Sequence, residues 1–238
     1  MSYREQVTAI IAGFAIVVLL FTLPTGGDIF NGASEASTPV VAVSESGEGV
    51  TGTVTASLEP GTGETFVETS PFIRADTQVS AEISRSVAQE ITGKSLRSTD
   101  VTYSFDIEGG LVGGRSAGAA MTLATAAALD GEKLPEDIAV TGTIRPDGRV
   151  GRVGGVLEKA YTAGENGIDT FYVPEGQGNT TMYRRVVEKN VFYPGVLATQ
   201  DVEYRPFQMS LDNITQEKYG MSIREVYSVE NLYKSVTD

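Results

Sequence analysis

The 238-residue chain has no cysteine, no histidine and no tryptophan, and only six lysines against twelve arginines. Without cysteine there is no disulfide and no thiol nucleophile. With histidine missing as well, the usual Cys/His zinc sites are excluded, and so is a Ser-His-Asp triad within one chain. A serine hydrolase built from this sequence must hand the serine proton to some other group. Positive charge is scarce too: the formal net charge is −13, with an isoelectric point near 4.5. A phosphate backbone needs a basic surface, so nucleic acid is excluded as a partner. The acidity is spread along the chain, which fits a protein kept soluble at high salt and equally an ordinary acidic surface.

What the chain does have begins with one long apolar run. Residues 6–27 carry no charge, and the 18 residues 7–24 are almost wholly apolar, near the minimum for a membrane-crossing helix. Arg4 precedes the run and Asp28 follows it. The positive-inside rule then puts residues 1–6 in the cytoplasm and the remainder on the extracytoplasmic side of the cell membrane. A cleaved signal peptide is the competing reading. Its apolar core is usually shorter and its small-residue cleavage site closer; here Gly32, Ala33, Ser34 and Ala36 come late, which favours an uncleaved single-pass anchor. Residues 25–37, rich in small polar residues, read as a tether. Residues 38–238 are long enough for one domain with its own core. The triplets Asn179-Thr180-Thr181 and Asn213-Ile214-Thr215 fit the N-glycosylation pattern and agree with an outside location.

Alternation predicts strands at Pro39–Val43, Gly49–Leu58, Thr65–Ile73 and Val101–Ile107. Helical spacing over Thr77–Ile91 places Val79, Ile83, Val87 and Ile91 on one face. Ala117–Leu129 is nearly all apolar and small, and predicts a buried helix. A short strand at Ile138–Thr141 follows, then a hairpin turning at Pro146-Asp147-Gly148, a helix from Gly154-Gly155 to about Glu165 and a strand at Thr170–Val173. Thr180–Asn190 reads as a polar helix and Phe192–Tyr219 as irregular, before a last strand, Met221–Val226, and a last helix, Val229–Val236. Alternating strands and helices in the second half indicate an α/β (α+β) domain.

Three segments could carry chemistry. The Gly-rich stretch from Gly109 to Gly114 feeds Arg115-Ser116-Ala117-Gly118 into a helix N-terminus, where free backbone N–H groups can stabilise an oxyanion. Ser116 there is either a nucleophile or an ordinary N-cap. Lys159 follows the pair Gly154-Gly155 among mostly apolar neighbours. Burial would lower its pKa, as a general base requires; otherwise it is a snorkelling surface lysine. Thr141 ends a buried strand and can aim a neutral amine, or is a plain β-branched strand residue. No phosphate-binding loop is present: the only Gly-Lys-Ser, Gly93-Lys94-Ser95, has Ala88 where the first glycine belongs. The Ser-x-x-Lys spacing of β-lactamase-type enzymes is also missing.

Taken together and in order, Gly-x-Ser-Ala-Gly-x-Ala-Met around Ser116, Val-Thr-Gly-x-Ile around Thr141, and Gly-Arg-Val followed by Gly-Gly-Val-Leu-Glu-Lys ending at Lys159 resemble the proteolytic domain of Lon proteases. The run Ala163 to Pro174 and the end Gly220 to Val236 are similar to that family's later elements, with an expanded connection at about 176–219. The resemblance implies a Ser-Lys dyad, Ser116 and Lys159, with Thr141 orienting the lysine and no metal or cofactor. It implies an oxyanion hole from the N–H of Ser116 and one from the Gly114–Arg115 loop, in a turn shaped by Gly114, Arg115 and Ala117. The chain departs from the family's common pattern at Arg115 (usually Pro), Gly113 (often Asp) and Thr143 (often Glu). It looks like a membrane-anchored archaeal relative that lacks the ATPase module, acts without ATP on unfolded or flexible polypeptides, and can form a homo-oligomeric, hexameric ring. Two rival uses remain: a non-catalytic domain of the same fold that holds a peptide or partner, and self-cleavage within residues 28–37.

Overall fold

The computed structural model describes residues 30, 32–44, 47–68, 75–107, 114–193 and 197–237. The expected anchor, residues 7–24, and most of the glycine-rich stretch before Gly114 lie outside these. Among the described residues no helix is long and apolar enough to cross a membrane.

The first half forms a four-stranded sheet ordered β1 (Ser34–Val43), β2 (Gly49–Pro60), β4 (Thr99–Ile107), β3 (Thr65–Glu68). The β1–β2 and β2–β4 pairs are antiparallel, while β3 lies parallel to β4. The long helix α1 (Ala75–Thr92) makes the β3-to-β4 crossover, as a parallel pair requires. The second half holds a three-stranded parallel sheet ordered β11 (Ser222–Val226), β8 (Thr170–Pro174), β5 (Ile138–Val140). Helices α3 (Val156–Glu165), α4 (Leu211–Tyr219) and α5 (Val229–Thr237) accompany it. A small hairpin, β6 (Thr143–Ile144) and β7 (Val150–Gly151), leads from β5 towards α3.

Helix α2 (Gly118–Asp130) is the centre of the domain: every residue from Gly118 to Leu129 is buried. Its side chains are mostly Ala, Thr and Leu, so α1, β1 and β2 approach closely on several sides. The expected buried helix is therefore present. It stops at Gly131, whose φ of 72° is the left-handed cap conformation. Tyr103 from β4 is fully buried against it, with its hydroxyl 2.7 Å from Thr125 Oγ1. A buried phenol demands such a partner.

Several expectations change. On α1 the buried stripe is Thr77, Ser80, Ala81, Ser84, Val87 and Ala88, while Val79 is 59% exposed. A four-residue stride drifts around a 3.6-residue helix, and the packed face is made of small residues because it meets the backbone of α2: Ser84 Oγ donates to the Gly118 carbonyl at 3.0 Å. The tether ends earlier than residue 37. Ser34–Ser37 already belong to β1, paired with Thr55–Leu58, which removes those residues from the flexible target expected for self-cleavage. The expected polar helix at Thr180–Asn190 is strand β9 (Asn179–Tyr193), and the expected irregular stretch contains β10 (Leu197–Ser210) and α4. Met182, Arg184, Arg185, Glu188 and Lys189 favour helix singly, but Pro194-Gly195 between two apolar ends is a hairpin signal. Thr215 of the second glycosylation triplet is fully buried, bonding the Leu211 and Met221 carbonyls.

Candidate active site

The site is assembled where the start of α2 meets the end of β5. Strand β5 is buried throughout and delivers Thr141, which is 1% exposed, with its N–H donating to the Tyr172 carbonyl at 3.0 Å. The next residue clamps the serine turn. Gly142 N–H donates to the Ser116 carbonyl at 2.9 Å, and Ala119 N–H donates to the Gly142 carbonyl at 3.1 Å. Ser116 is thereby pinned beside Thr141, although 25 residues separate them in sequence.

Two glycines permit this approach. A Cβ on Gly142 would stand 2.2 Å from Val150 Cγ1, and one on Gly118 would stand 2.7 Å from Ile144 Cγ2 and Ser80 Oγ. We therefore expect Gly142→Ala to destabilise the domain by about 1–3 kcal/mol through overpacking and to lower activity with it. Thermal unfolding of Gly142→Ala beside Gly142→Ala/Val150→Ala checks the cause, since shortening Val150 should restore most of the loss.

Ser116 sits in a single 3-10 turn, Arg115–Ala117, that runs into α2. The leading N–H groups of such a turn have no partner within it. Gly114 ahead of it has φ 141°, a value suited to glycine, and donates its N–H to Thr77 Oγ1 at 3.1 Å. That bond takes the Gly114 amide. Thr77 was not among the expected site residues; its position at the start of α1 and its burial, 3% exposed, become meaningful only in three dimensions. The Arg115 side chain is exposed, and Ser116 and Ala117 are half-buried.

Lys159 comes from the first turns of α3. Gly155, with φ 66°, starts that helix, and its carbonyl accepts the Lys159 N–H at 3.0 Å. The side chain points inward and is only 4% exposed. Its amine donates to Thr141 Oγ1 at 3.0 Å. Among the described residues no carboxylate pairs with it. Burial without a counter-charge disfavours the ammonium and lowers the Lys159 pKa from 10.5 to about 8. The snorkelling alternative is thus not the geometry found. No direct hydrogen bond joins Ser116 to Lys159; Thr141 and Gly142 link them, Thr141 through the amine and Gly142 through the serine backbone.

Beside Ser116 lies a mainly apolar cleft of about 20 Å³, room for roughly one water. Val40, Val41 and Ala42 of β1 form one wall, and Val140, Thr77, Gly114 and Ala117 belong to the rest. Both β1 and β5 are edge strands of their sheets. Among the described residues no cluster of three or more His, Cys, Asp or Glu side chains could hold a metal ion.

A family model, that of the Lon protease (S16) C-terminal proteolytic domain, matches residues 47–188, well over half of the chain. The Lon proteases of Mycoplasma pneumoniae and Finegoldia magna are each 44% identical over 62 residues, which is 26% of this chain and 8% of theirs. That of Metamycoplasma arthritidis is 32% identical over 95 residues, 40% of this chain and 10% of the relative. The matched segment thus spans a tenth or less of these relatives. The mixed α/β fold agrees with the match, and the chain belongs to the family of the Lon protease (S16) C-terminal proteolytic domain, a serine protease domain.

Proposed function

We propose that this domain is an ATP-independent endopeptidase that cleaves unfolded or flexible polypeptides, with Ser116 as nucleophile and Lys159 as general base. The observation that carries the reading is a buried lysine amine, without a carboxylate partner, held by Thr141 beside the clamped Ser116 turn. A neutral amine can donate one N–H to Thr141 and still present its lone pair to the Ser116 hydroxyl. The serine oxygen, losing its proton to Lys159, then attacks the peptide carbonyl. The N–H groups of Ser116 and Arg115 receive the oxyanion. The lysinium passes the proton to the leaving amine, giving an ester on Ser116. A water, deprotonated by the again-neutral lysine, attacks that ester, and the proton returns to the serine oxygen as the acid departs.

An extended substrate is favoured because β1, which lines the cleft beside Ser116, is an edge strand of its sheet among the described residues, and a peptide can add to such an edge. The sequence carries no phosphate-binding loop, so the proposed hydrolysis draws on no nucleotide bound by these residues. Residues 7–24 would hold the domain at the membrane, on the extracytoplasmic side. Labelling with a fluorophosphonate probe tests the dyad. We expect label on Ser116 in the wild-type chain, none in Ser116→Ala, and a strong reduction in Lys159→Ala. Folded wild-type protein that takes no label would favour the other reading, a peptide-holding domain of the same fold.

A further inference from the structure

Strands β11, β8 and β5 run parallel, and ligands of parallel sheets bind off the carboxyl ends of the strands. Thr141 follows β5 at that end. At the carboxyl halves of β8 and β11, against α5, lies a cavity of about 380 Å³, within the range of small-molecule pockets, roughly 300–1,000 Å³. It shares no lining residue with the cleft beside Ser116. Val226 and Leu232, both buried, supply apolar lining.

The polar lining is unsatisfied. The Tyr172 hydroxyl, the Arg224 guanidinium, the Glu175 carboxylate and the Asn231 side-chain amide border the cavity, and none has a partner among the described residues. Tyr172 is only 7% exposed, and a phenol so buried normally finds a hydrogen bond. Its hydroxyl is not sealed from solvent, so the cavity is where that bond can be made. Arg224 stands in register beside Tyr172 on the neighbouring strand, and Glu175 directly follows β8. The guanidinium and this carboxylate border one cavity without pairing with each other. Glu225, the other carboxylate there, is already engaged, accepting the Gly178 N–H at 2.7 Å.

We propose that this cavity binds a zwitterion, a short peptide with both termini free, its carboxylate on Arg224 and Tyr172 and its ammonium on Glu175. The charges select that ligand. An anion alone would leave Glu175 unanswered, a cation alone would leave Arg224, and a neutral molecule would leave both. Arginine suits the carboxylate because its planar fork offers two parallel N–H donors. Hydrolysis of peptide bonds, the reaction of a protease domain, releases such ends. The binding does not depend on the roles given to Ser116 and Lys159. It does reach the same framework, because the Tyr172 carbonyl accepts the Thr141 N–H at 3.0 Å.

The test is calorimetric titration of the full wild-type chain in detergent with dialanine, whose integrity is checked by chromatography. Saturable binding to one site with a Kd of about 1 mM or tighter is expected. Arg224→Gln and Glu175→Gln should each weaken it at least about tenfold, and Tyr172→Phe about fivefold. N-acetyl-dialanine amide, which keeps the shape and lacks both charges, should not bind. Thermal melts of the Arg224 and Glu175 variants should match the wild type, because both side chains are exposed. No saturation by about 10 mM would overturn the proposal. So would dialanine binding that survives Arg224→Gln and Glu175→Gln, which would put the peptide elsewhere, or equal binding of the blocked peptide.

Discussion

Ser116→Ala should fold like the wild type and cleave casein or an unstructured peptide at least about a thousandfold more slowly, by analogy with the loss of a serine nucleophile elsewhere. The expectation of normal folding has a structural basis. The Gly142 N–H to Ser116 carbonyl bond, the Ala119 N–H to Gly142 carbonyl bond and the Gly114 N–H to Thr77 Oγ1 bond that hold this turn do not involve the serine hydroxyl. The substitution removes one oxygen from a half-buried position and leaves the clamp, the cleft and Lys159 in place. A rate measured beside a thermal melt therefore separates chemistry from stability. Cleavage at the wild-type rate by a correctly folded Ser116→Ala protein would sink the assignment of the nucleophile.

Lys159→Met should have two opposite effects of comparable interest. Activity should fall as far as with the serine, since on the proposed mechanism it is Lys159 that takes the serine proton. Stability at neutral pH should rise. The sign follows from linkage: the folded pKa, about 8, lies below the ordinary 10.5, so between those values the unfolded chain binds the extra proton and stability climbs with pH. Below about pH 8 both states are protonated and the wild type carries the full desolvation cost, at most roughly 3 kcal/mol. Loss of the bond to Thr141 offsets about 1 kcal/mol of the gain. The net is a melting temperature several degrees higher at pH 7 for a domain of this size. The advantage should shrink towards zero above about pH 10.5. The same neutral amine sets the wild-type rate profile: kcat/KM should fall about tenfold per pH unit below about 8 and level off above it. Melting curves of both proteins across pH, with one rate profile, check all of this. A flat profile from pH 6 to 9 would remove Lys159 as the titrating base.

These two results would also place the stability–function trade of the domain at one residue. A buried lysine with no carboxylate is a poor structural choice and a good base. The neighbouring glycines show the same preference for site geometry, because Gly118 and Gly142 give up side-chain packing so that the α2 start can touch the end of β5.

Much of this was legible in the residues themselves. The absence of histidine and cysteine excluded a Ser-His-Asp triad and a thiol nucleophile, and the order and spacing of the segments around Ser116, Thr141 and Lys159 led to the family. Those segments are short, with strong local signals of glycine, apolar period and turn chemistry. The strand and helix pattern from Ile138 to Pro174 held for the same reason. Tertiary structure decided what depends on contacts distant in sequence. The buried face of α1 is chosen by the α2 backbone, and Thr77 joins the site only because α1 crosses the serine turn. Residues 179–193 became a strand because β10 pairs with them along their length, outweighing single-residue helix preference. The depressed pKa of Lys159 is a property of burial, and burial belongs to the fold: the sequence named the lysine, and the packing of α3 against β1, β2 and β8 put its amine inside and lowered its pKa.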